Sequence, residues 1–399
     1  MTNERAHITF KGDKVLLGCI FLLVIVSMLA MFSAISSVAY KQSGSMWAPF
    51  ITHCIYILFG AFIFFGVTFI PWSWIKIGTN ILTAVSIAML LILAVKPSGV
   101  NVEMVNGAAR ALKIGPIPIQ PIEFAKLSVI LLFASRLSLY QKGNEQLSIM
   151  DWCILGIPSL IIFGLVGIQN LSSTCIIFIV GMLMLYIGRV KMRYLLTIIG
   201  GLIFGLTLLV AVFELKPEWQ PERYTTWKNR IVNAPVKSRF EKKEDNLKIE
   251  ITDENRQKIY AQIAVANGRY PKGPGGSIER DFLPLAFSDY IYAIIIEEYG
   301  IYGAVFVMML FFIIVFRGGL SIRKSQDPYM SLLAAGLASA LVIQALINMM
   351  VGVSLGPVTG QPLPLISRGG NSIIFTFIYL ALLFKISGTV QKHSTEQSK

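Results

Sequence analysis

The sequence predicts an all-α membrane protein with about ten transmembrane helices and a large extracytoplasmic loop between helices 7 and 8. Three observations carry that expectation. The 399 residues are 55% hydrophobic and only 14% charged, with a mean hydropathy of +0.66, a balance unlike that of water-soluble chains of this length. Ten apolar segments have roughly the 15 to 25 residues needed to cross a hydrocarbon core of about 30 Å. The short connections between them are basic at alternate positions, as topology requires.

The segments fall at 15–39, 49–70, 77–95, 121–138, 152–168, 173–188, 194–213, 286–316, 329–351 and 371–388, the fourth and tenth being short. The first is too long for a cleaved secretory leader and reads as a retained span. Arg5, Lys11 and Lys14 precede it; Arg189, Lys191 and Arg193 share one short loop; Arg317, Arg323 and Lys324 share another; Lys385 and Lys392 follow the last span. That alternation places both termini in the cytoplasm, and the opposite short loops carry only Lys41 and Arg368. The net charge of +13 is therefore a topological signal and not a nucleic-acid-binding face. Cys19, Cys54, Cys153 and Cys175 have no metal-ligand spacing, and His7, His53 and His393 are scattered, so the cysteines read as small buried hydrophobes.

The chain reads as one polytopic domain over residues 1–399 with two long loops. The first, 96–120, leads into "NGAARALKIGPIPIQPIEFAK"; the second, 214–285, contains the alternating-sign, helix-like run "EKKEDNLKIEITDENRQK" and ends in "NGRYPKGPGGS". The latter is either a linker or a flap over a site formed by Asp289 and its neighbours.

Charged groups at the edges of apolar runs are costly and invite a functional reading. In "LPLAFSDYIYAIIIEEYG", a continuous helix back from Arg317 would place Glu298 about 28 Å away, at the far edge of the hydrocarbon, and Asp289 about 42 Å away, beyond it. A break at Gly300 would tilt the upper piece instead. Asp289 is either a helix cap or a reactive carboxylate. Glu297 and Glu298 suit a snorkelling or ion-paired role. Glu123 and Lys126 share a helix face at i, i+3, either as an ion pair or as polar groups awaiting a ligand. In "GPVTGQPLPLISRGGNS", Gly and Pro exclude regular structure, and Ser367, Arg368, Gly369 and Gly370 open a helix with N–H groups and a guanidinium suited to an anion.

These motifs, with "FSAIS" and "TWKNRI", resemble the SEDS family (shape, elongation, division and sporulation) over almost the whole chain. The resemblance implies a ten-helix glycosyltransferase that polymerises the lipid-linked precursor lipid II into peptidoglycan. It assigns the essential acid to Asp289. Substrate-binding positions fall on Arg110, Glu123, Lys126, Arg230, Glu298, Ser367, Arg368, Gly369 and Gly370, and a divalent cation (Mg or Mn) is an open cofactor with no ligands assigned. The implied partners are lipid II, membrane lipid, a class B penicillin-binding protein and other division proteins, at the septum of a bacterial inner membrane. Arg368 stands where the family commonly has Tyr, Asn371 replaces a Ser, Ala109 and Ala111 flank Arg110 where Arg and Trp are usual, and Asn170 replaces an acid. "PVTGQPLPLIS" is closer to the FtsW branch than to RodA, favouring division over elongation. A lipid II flippase, whose charges would sit near the membrane midplane, and a non-enzymatic scaffold are the competing readings.

Overall fold

A computed structural model of the chain describes residues 12–35, 45, 47–96, 101–105, 108–115, 117–143, 148–215, 256–283 and 286–397. Among these run helices α1 (Lys14–Ala34), α2 (Trp47–Phe69), α3 (Trp72–Val95), α4 (Pro121–Gly143), α5 (Ile149–Gln169), α6 (Leu171–Ile187), α7 (Met192–Leu215), α8 (Arg256–Asn267), α9 (Ile291–Lys324), α10 (Pro328–Gly352) and α11 (Gly370–Gln397). Each predicted apolar segment holds one of the ten helices other than α8. Eight helices among the described residues are long and apolar enough to cross a membrane; α6 is apolar but 17 residues long, and α4 carries Glu123, Lys126 and Arg136. This is a multi-pass membrane protein.

Several boundaries differ from the expected ones, because hydropathy marks the hydrocarbon whereas backbone hydrogen bonding continues into polar flanks. Helix α4 runs on to Gly143, α11 to Gln397, and α3 begins at Trp72, directly after Pro71. The expected 286–316 span begins only at Ile291 and passes through Arg317 to Lys324. It is broken at Gly300, whose φ of 66° and ψ of −164° lie in a region open essentially to glycine. A Cβ there would come within 2.8 Å of Pro271. Most of the 214–285 loop lies outside the described residues, but its end forms α8, which packs on α9. The cysteines are not uniformly buried: Cys19 is, whereas Cys153 and Cys175 are exposed on α5 and α6.

Helices α10 and α11 form the centre. The run "LLAAGLASALVIQAL" of α10 is buried over most of its length, and its small residues allow close helix approach, the main source of association where lipid is as apolar as the side chains. At Gly336 a Cβ would lie 2.6 Å from Met184 Sδ and 2.7 Å from Ile130 Cγ2, so α4, α6 and α10 meet there. Helix α11 packs on α2, α9 on α1 and α10, and α3 on α4.

The 96–120 region, expected as a loop, contains a three-stranded antiparallel sheet in the order β1 (Val102–Val105), β2 (Ala108–Ile114), β3 (Ile117–Ile119). It packs on α3, α4 and α5, and Asn371 Nδ2 donates to the Pro118 carbonyl, tying it to the start of α11. At the opposite end of the bundle, Asp13 accepts from Val15 N to cap α1 and pairs with Arg317 of α9. Asp327 caps α10 and pairs with Lys76 at 3.9 Å. Lys76 and Lys385 lie 4.7 and 4.8 Å over the rings of Tyr329 and Trp72.

Candidate active site

Asp289 lies in the turn 286–290 that precedes α9. It is not the cap residue of that helix, which is Tyr290, with no side-chain cap bond. Ser288 Oγ donates to Asp289 Oδ1 at 3.0 Å. Burial, and then the adjacent Asp289 carboxylate, push the Tyr290 phenol above its usual range. The backbone of the turn is held from two sides. Asn348 Nδ2 of α10 donates to the Asp289 carbonyl at 3.1 Å. From the segment 353–369, Ser367 Oγ donates to the Ser288 carbonyl at 2.6 Å and the Arg368 amide to the Phe287 carbonyl at 2.9 Å. That amide is thus committed to the protein, while the Arg368 guanidinium lies 5.2 Å over the Phe287 ring, where burial lowers its pKa from the usual guanidinium range.

The segment 353–369 is irregular, as its Gly and Pro content predicts, and its polar backbone is satisfied from α10. Gln344 and Asn348, one helical turn apart, present amides on one face. Gln344 Nε2 donates to the Pro362 carbonyl at 3.0 Å, and Asn348 Nδ2 also donates to the Gln361 carbonyl at 2.8 Å. Gln361 Nε2 in turn reaches Ser173 Oγ of α6 at 2.8 Å. Asn170, in the place of the family's acid, caps α6 by accepting from Ser173 N at 3.2 Å.

Glu123 and Lys126 form an ion pair of 2.7 Å on α4, their side chains 9% and 3% exposed. Lys126 Nζ also donates to Gln344 Oε1 at 2.9 Å. The pair is therefore buried and connected, through Gln344, to the backbone at Pro362. This is the ion-pair reading; its link to the loop extends it.

Arg110 reaches the site from the sheet. Glu103 pairs with Ala111 and Met104 with Ala109, leaving Arg110 as the extra residue of a β-bulge, an arrangement that re-aims a side chain out of strand register. Gly360 lies against both it and the acid. A Cβ built on Gly360 would lie 3.5 and 3.6 Å from the two terminal Arg110 nitrogens and 3.8 Å from Asp289 Oδ2. Guanidinium and carboxylate thus flank one glycine. Gly370 is packed under Tyr56, whose ring a Cβ there would meet at 2.4 Å, and Gly369 lies beside Pro362 and Ser372.

Glu298 lies elsewhere. It and Glu297 are 1% and 0% exposed and do not snorkel to the lipid surface. Glu298 accepts from Ser33 Oγ of α1 and from Ser277 N; Glu297 accepts from Ser277 Oγ, Ile278 N and Asn267 Nδ2. The reason is the break at Gly300, which folds the upper piece of α9 beneath "NGRYPKGPGGS". The Glu297 and Glu298 carbonyls accept from Lys272 N and Gly273 N. That stretch is packed in place by the two acids, as neither a plain linker nor an untethered flap would be. Glu279 is buried beside them, and burial, with the Glu297 charge next, raises its pKa. Arg230 lies outside the described residues. Among the described residues no group of three or more His, Cys, Asp and Glu side chains is placed to hold a metal ion, so those residues do not supply the donors for a divalent cation.

The sequence reading missed Gln344, Asn348, Gln361 and Gly360. Two amides at i, i+4 inside an apolar span were a usable signal for Gln344 and Asn348; the role of Gly360 depends on the bulge and could not be read.

The FtsW/RodA/SpoVE family model, described as a cell cycle protein, matches residues 13–392, and the chain belongs to that family. It is 33% identical over 303 residues to the probable peptidoglycan glycosyltransferase FtsW of Bacillus subtilis, covering 72% of this chain and 69% of that one. It is 31% identical over 389 residues to the protein of the same name from Dichelobacter nodosus, covering 94% and 89%. Among solved structures, a chain of a peptidoglycan synthase complex aligns with a TM-score of 0.70 at 20% identity, covering 95% of this chain and 98% of that one. Thermus thermophilus RodA aligns with a TM-score of 0.64 at 19% identity, covering 94% and 96%. These likenesses show the shared fold.

Proposed function

We propose that this member of the FtsW/RodA/SpoVE family is a peptidoglycan glycosyltransferase that polymerises lipid II, with Asp289 as general base. The observation that carries the reading is the juxtaposition of the Asp289 carboxylate and the Arg110 guanidinium across Gly360. An acceptor sugar hydroxyl is a poor nucleophile, and a positioned carboxylate that takes its proton contributes about 10² to 10⁴ in rate. Undecaprenyl pyrophosphate leaves as charge develops on it, and fixed cations favour that charge: Arg110, Arg368 and, from the undescribed part of the loop, Arg230. An α-linked donor and a β-linked product require inversion, so one base suffices without a covalent intermediate. Glu123 and Lys126 act by holding the 353–369 segment through Gln344.

The basic residues at alternate loops support an extracytoplasmic site, with both termini in the cytoplasm and the donor's lipid tail in the bilayer. "PVTGQPLPLIS" and the FtsW names of the relatives support a division role at the septum over elongation, with a class B penicillin-binding protein as partner. The charge inside the bundle at α4 is a closed ion pair, which favours surface chemistry over lipid passage.

The test is polymerisation of labelled lipid II by the purified protein with its cognate class B penicillin-binding protein, alongside Asp289→Asn. Polymer from wild type and none from the variant is expected; equal polymer from both removes Asp289 as the base. Translocation of lipid II across liposomes without polymer would assign the chain to transport.

A further inference from the structure

His53 is buried at 1% exposure in α2, and the reaction as proposed gives it no task. Its Nε2 lies 2.9 Å from Ser27 Oγ of α1, itself fully buried, and Ser27 Oγ donates to the Leu365 carbonyl at 2.6 Å. A serine hydroxyl has one hydrogen and a carbonyl none. The Ser27 hydrogen is therefore committed to Leu365, and His53 must donate from Nε2. Its Nδ1, the remaining acceptor, has no hydrogen-bond partner among the described residues.

Ser27 departs from the local pattern of most helical hydroxyls here, as Ser33 does toward Glu298. The hydroxyls of Thr79, Thr83, Ser86, Ser159 and Thr376 each return to the carbonyl four residues earlier in their own helix, the default for Ser and Thr in such helices. Ser27 instead points across to another segment, with His53 behind it. The carbonyl it holds belongs to Leu365, whose φ of 64° is left-handed and uncommon for a residue with a side chain. Two residues on stands Ser367, which accepts from Leu363 N at 2.8 Å and donates to the Ser288 carbonyl, next to Asp289.

We infer that His53 is a positioning residue for Asp289: by donating to Ser27 it keeps that hydroxyl aimed at the left-handed Leu365, fixing the turn that holds the backbone at Ser288. The inference rests on the reading of Asp289 as the base. Without the imidazole donor, Ser27 is released to its own helix and the Leu365 carbonyl loses its partner. A displacement of well under 1 Å in the base then lowers turnover, since misplacement by about 1 Å costs about 10²-fold.

The experiment is steady-state lipid II polymerisation by the full chain with its partner, separating kcat from KM. His53→Phe and Ser27→Ala are each expected to lower kcat about tenfold with KM unchanged within about twofold. His53→Gln, whose amide nitrogen takes the Nε2 position, is expected to restore kcat to within about threefold. The double variant is expected to be no slower than the slower single one, because both remove one link. Equal loss in His53→Phe and His53→Gln overturns the inference and leaves His53 as packing. Should His53→Phe fail to fold in a thermal-shift assay, Ser27→Ala decides, and unchanged kcat in a folded Ser27→Ala overturns it too. If Asp289→Asn is inactive while His53→Phe is fully active, only this inference fails; if Asp289→Asn remains active, the reading of the base fails first.

Discussion

The end of the bundle built on Asp13, Arg317, Lys76 and Asp327 handles charge differently from the end built on Asp289. At the former, acids cap helices and pair with single cations, and lysines lie on aromatic faces, with Lys385 also donating to the Ile70 carbonyl, so the contacts chiefly join neighbouring helix ends. Around Asp289, polar side chains are bonded to backbone carbonyls of irregular segments: Asn348 to residues 289 and 361, Gln344 to 362, Ser367 to 288, Ser27 to 365. Charge pairing at helix ends joins helices, whereas side chains on loop carbonyls fix where the backbone at Asp289 stands. A change at one end should register in melting temperature, and at the other in rate.

The largest expected effect is the one most able to break this contrast. Asp289→Asn should lower lipid II polymerisation by about 10² to 10⁴ with the thermal transition kept, as read by polymer length on gels and by thermal shift in detergent. Lys126→Met should strand Glu123 in the interior and cost about 3 to 5 kcal/mol of stability, with most of the loss recovered in Glu123→Gln/Lys126→Met; thermal unfolding of the three variants decides, and a double variant as unstable as the single one would contradict it. Gly360→Val should press branched carbon against both Arg110 and Asp289 and lower kcat by at least about tenfold. Gly273→Ala is its control, since Gly273 also has positive φ (80°) but nothing within 4 Å of a Cβ; comparable rate loss in both would mean that backbone strain and not the gap is responsible. At the opposite end Asp13→Ala should cost about 1 to 2 kcal/mol through the lost cap and pair, with polymerisation per folded molecule unchanged.

The smallest effect concerns pH. Glu279 has a raised pKa in the folded chain, so its protonated form is favoured there, and its contribution to stability is present at low pH and lost as pH rises through the folded-state value. Glu279→Gln should accordingly be more stable than the wild type by about 0.5 kcal/mol at pH 7, with the gain vanishing near pH 4, as followed by thermal shift across pH.

The long helices were legible from hydropathy because an apolar layer of known thickness sets the length of the segments able to cross it. The ion pair at Glu123 and Lys126 was legible from i, i+3 spacing. What escaped depends on contacts distant in sequence. Arg110 enters the site through a bulge opposite Glu103 and Met104, which alternation along β2 does not reveal. Gln344 and Asn348, polar groups in an apolar run, offered a signal that the sequence reading did not use, and their partners at Pro362, Gln361 and Asp289 are set by the packing of the loop. The break at Gly300, one of the two geometries open from the sequence, is present, but the burial of Glu297 and Glu298 against residues 267–278 depends on contacts that spacing does not reveal.

That glycine has a mechanical consequence. A continuous rod would pass any tilt imposed by bilayer thickness or lateral pressure directly to its tip. Cut at one residue, α9 becomes a short upper arm that is stitched to residues 267–278 through the carbonyls and carboxylates of Glu297 and Glu298, and a lower shaft in the membrane. Torque on the shaft ends at the seam, leaving the arm that begins two residues after Asp289 to keep its bearing.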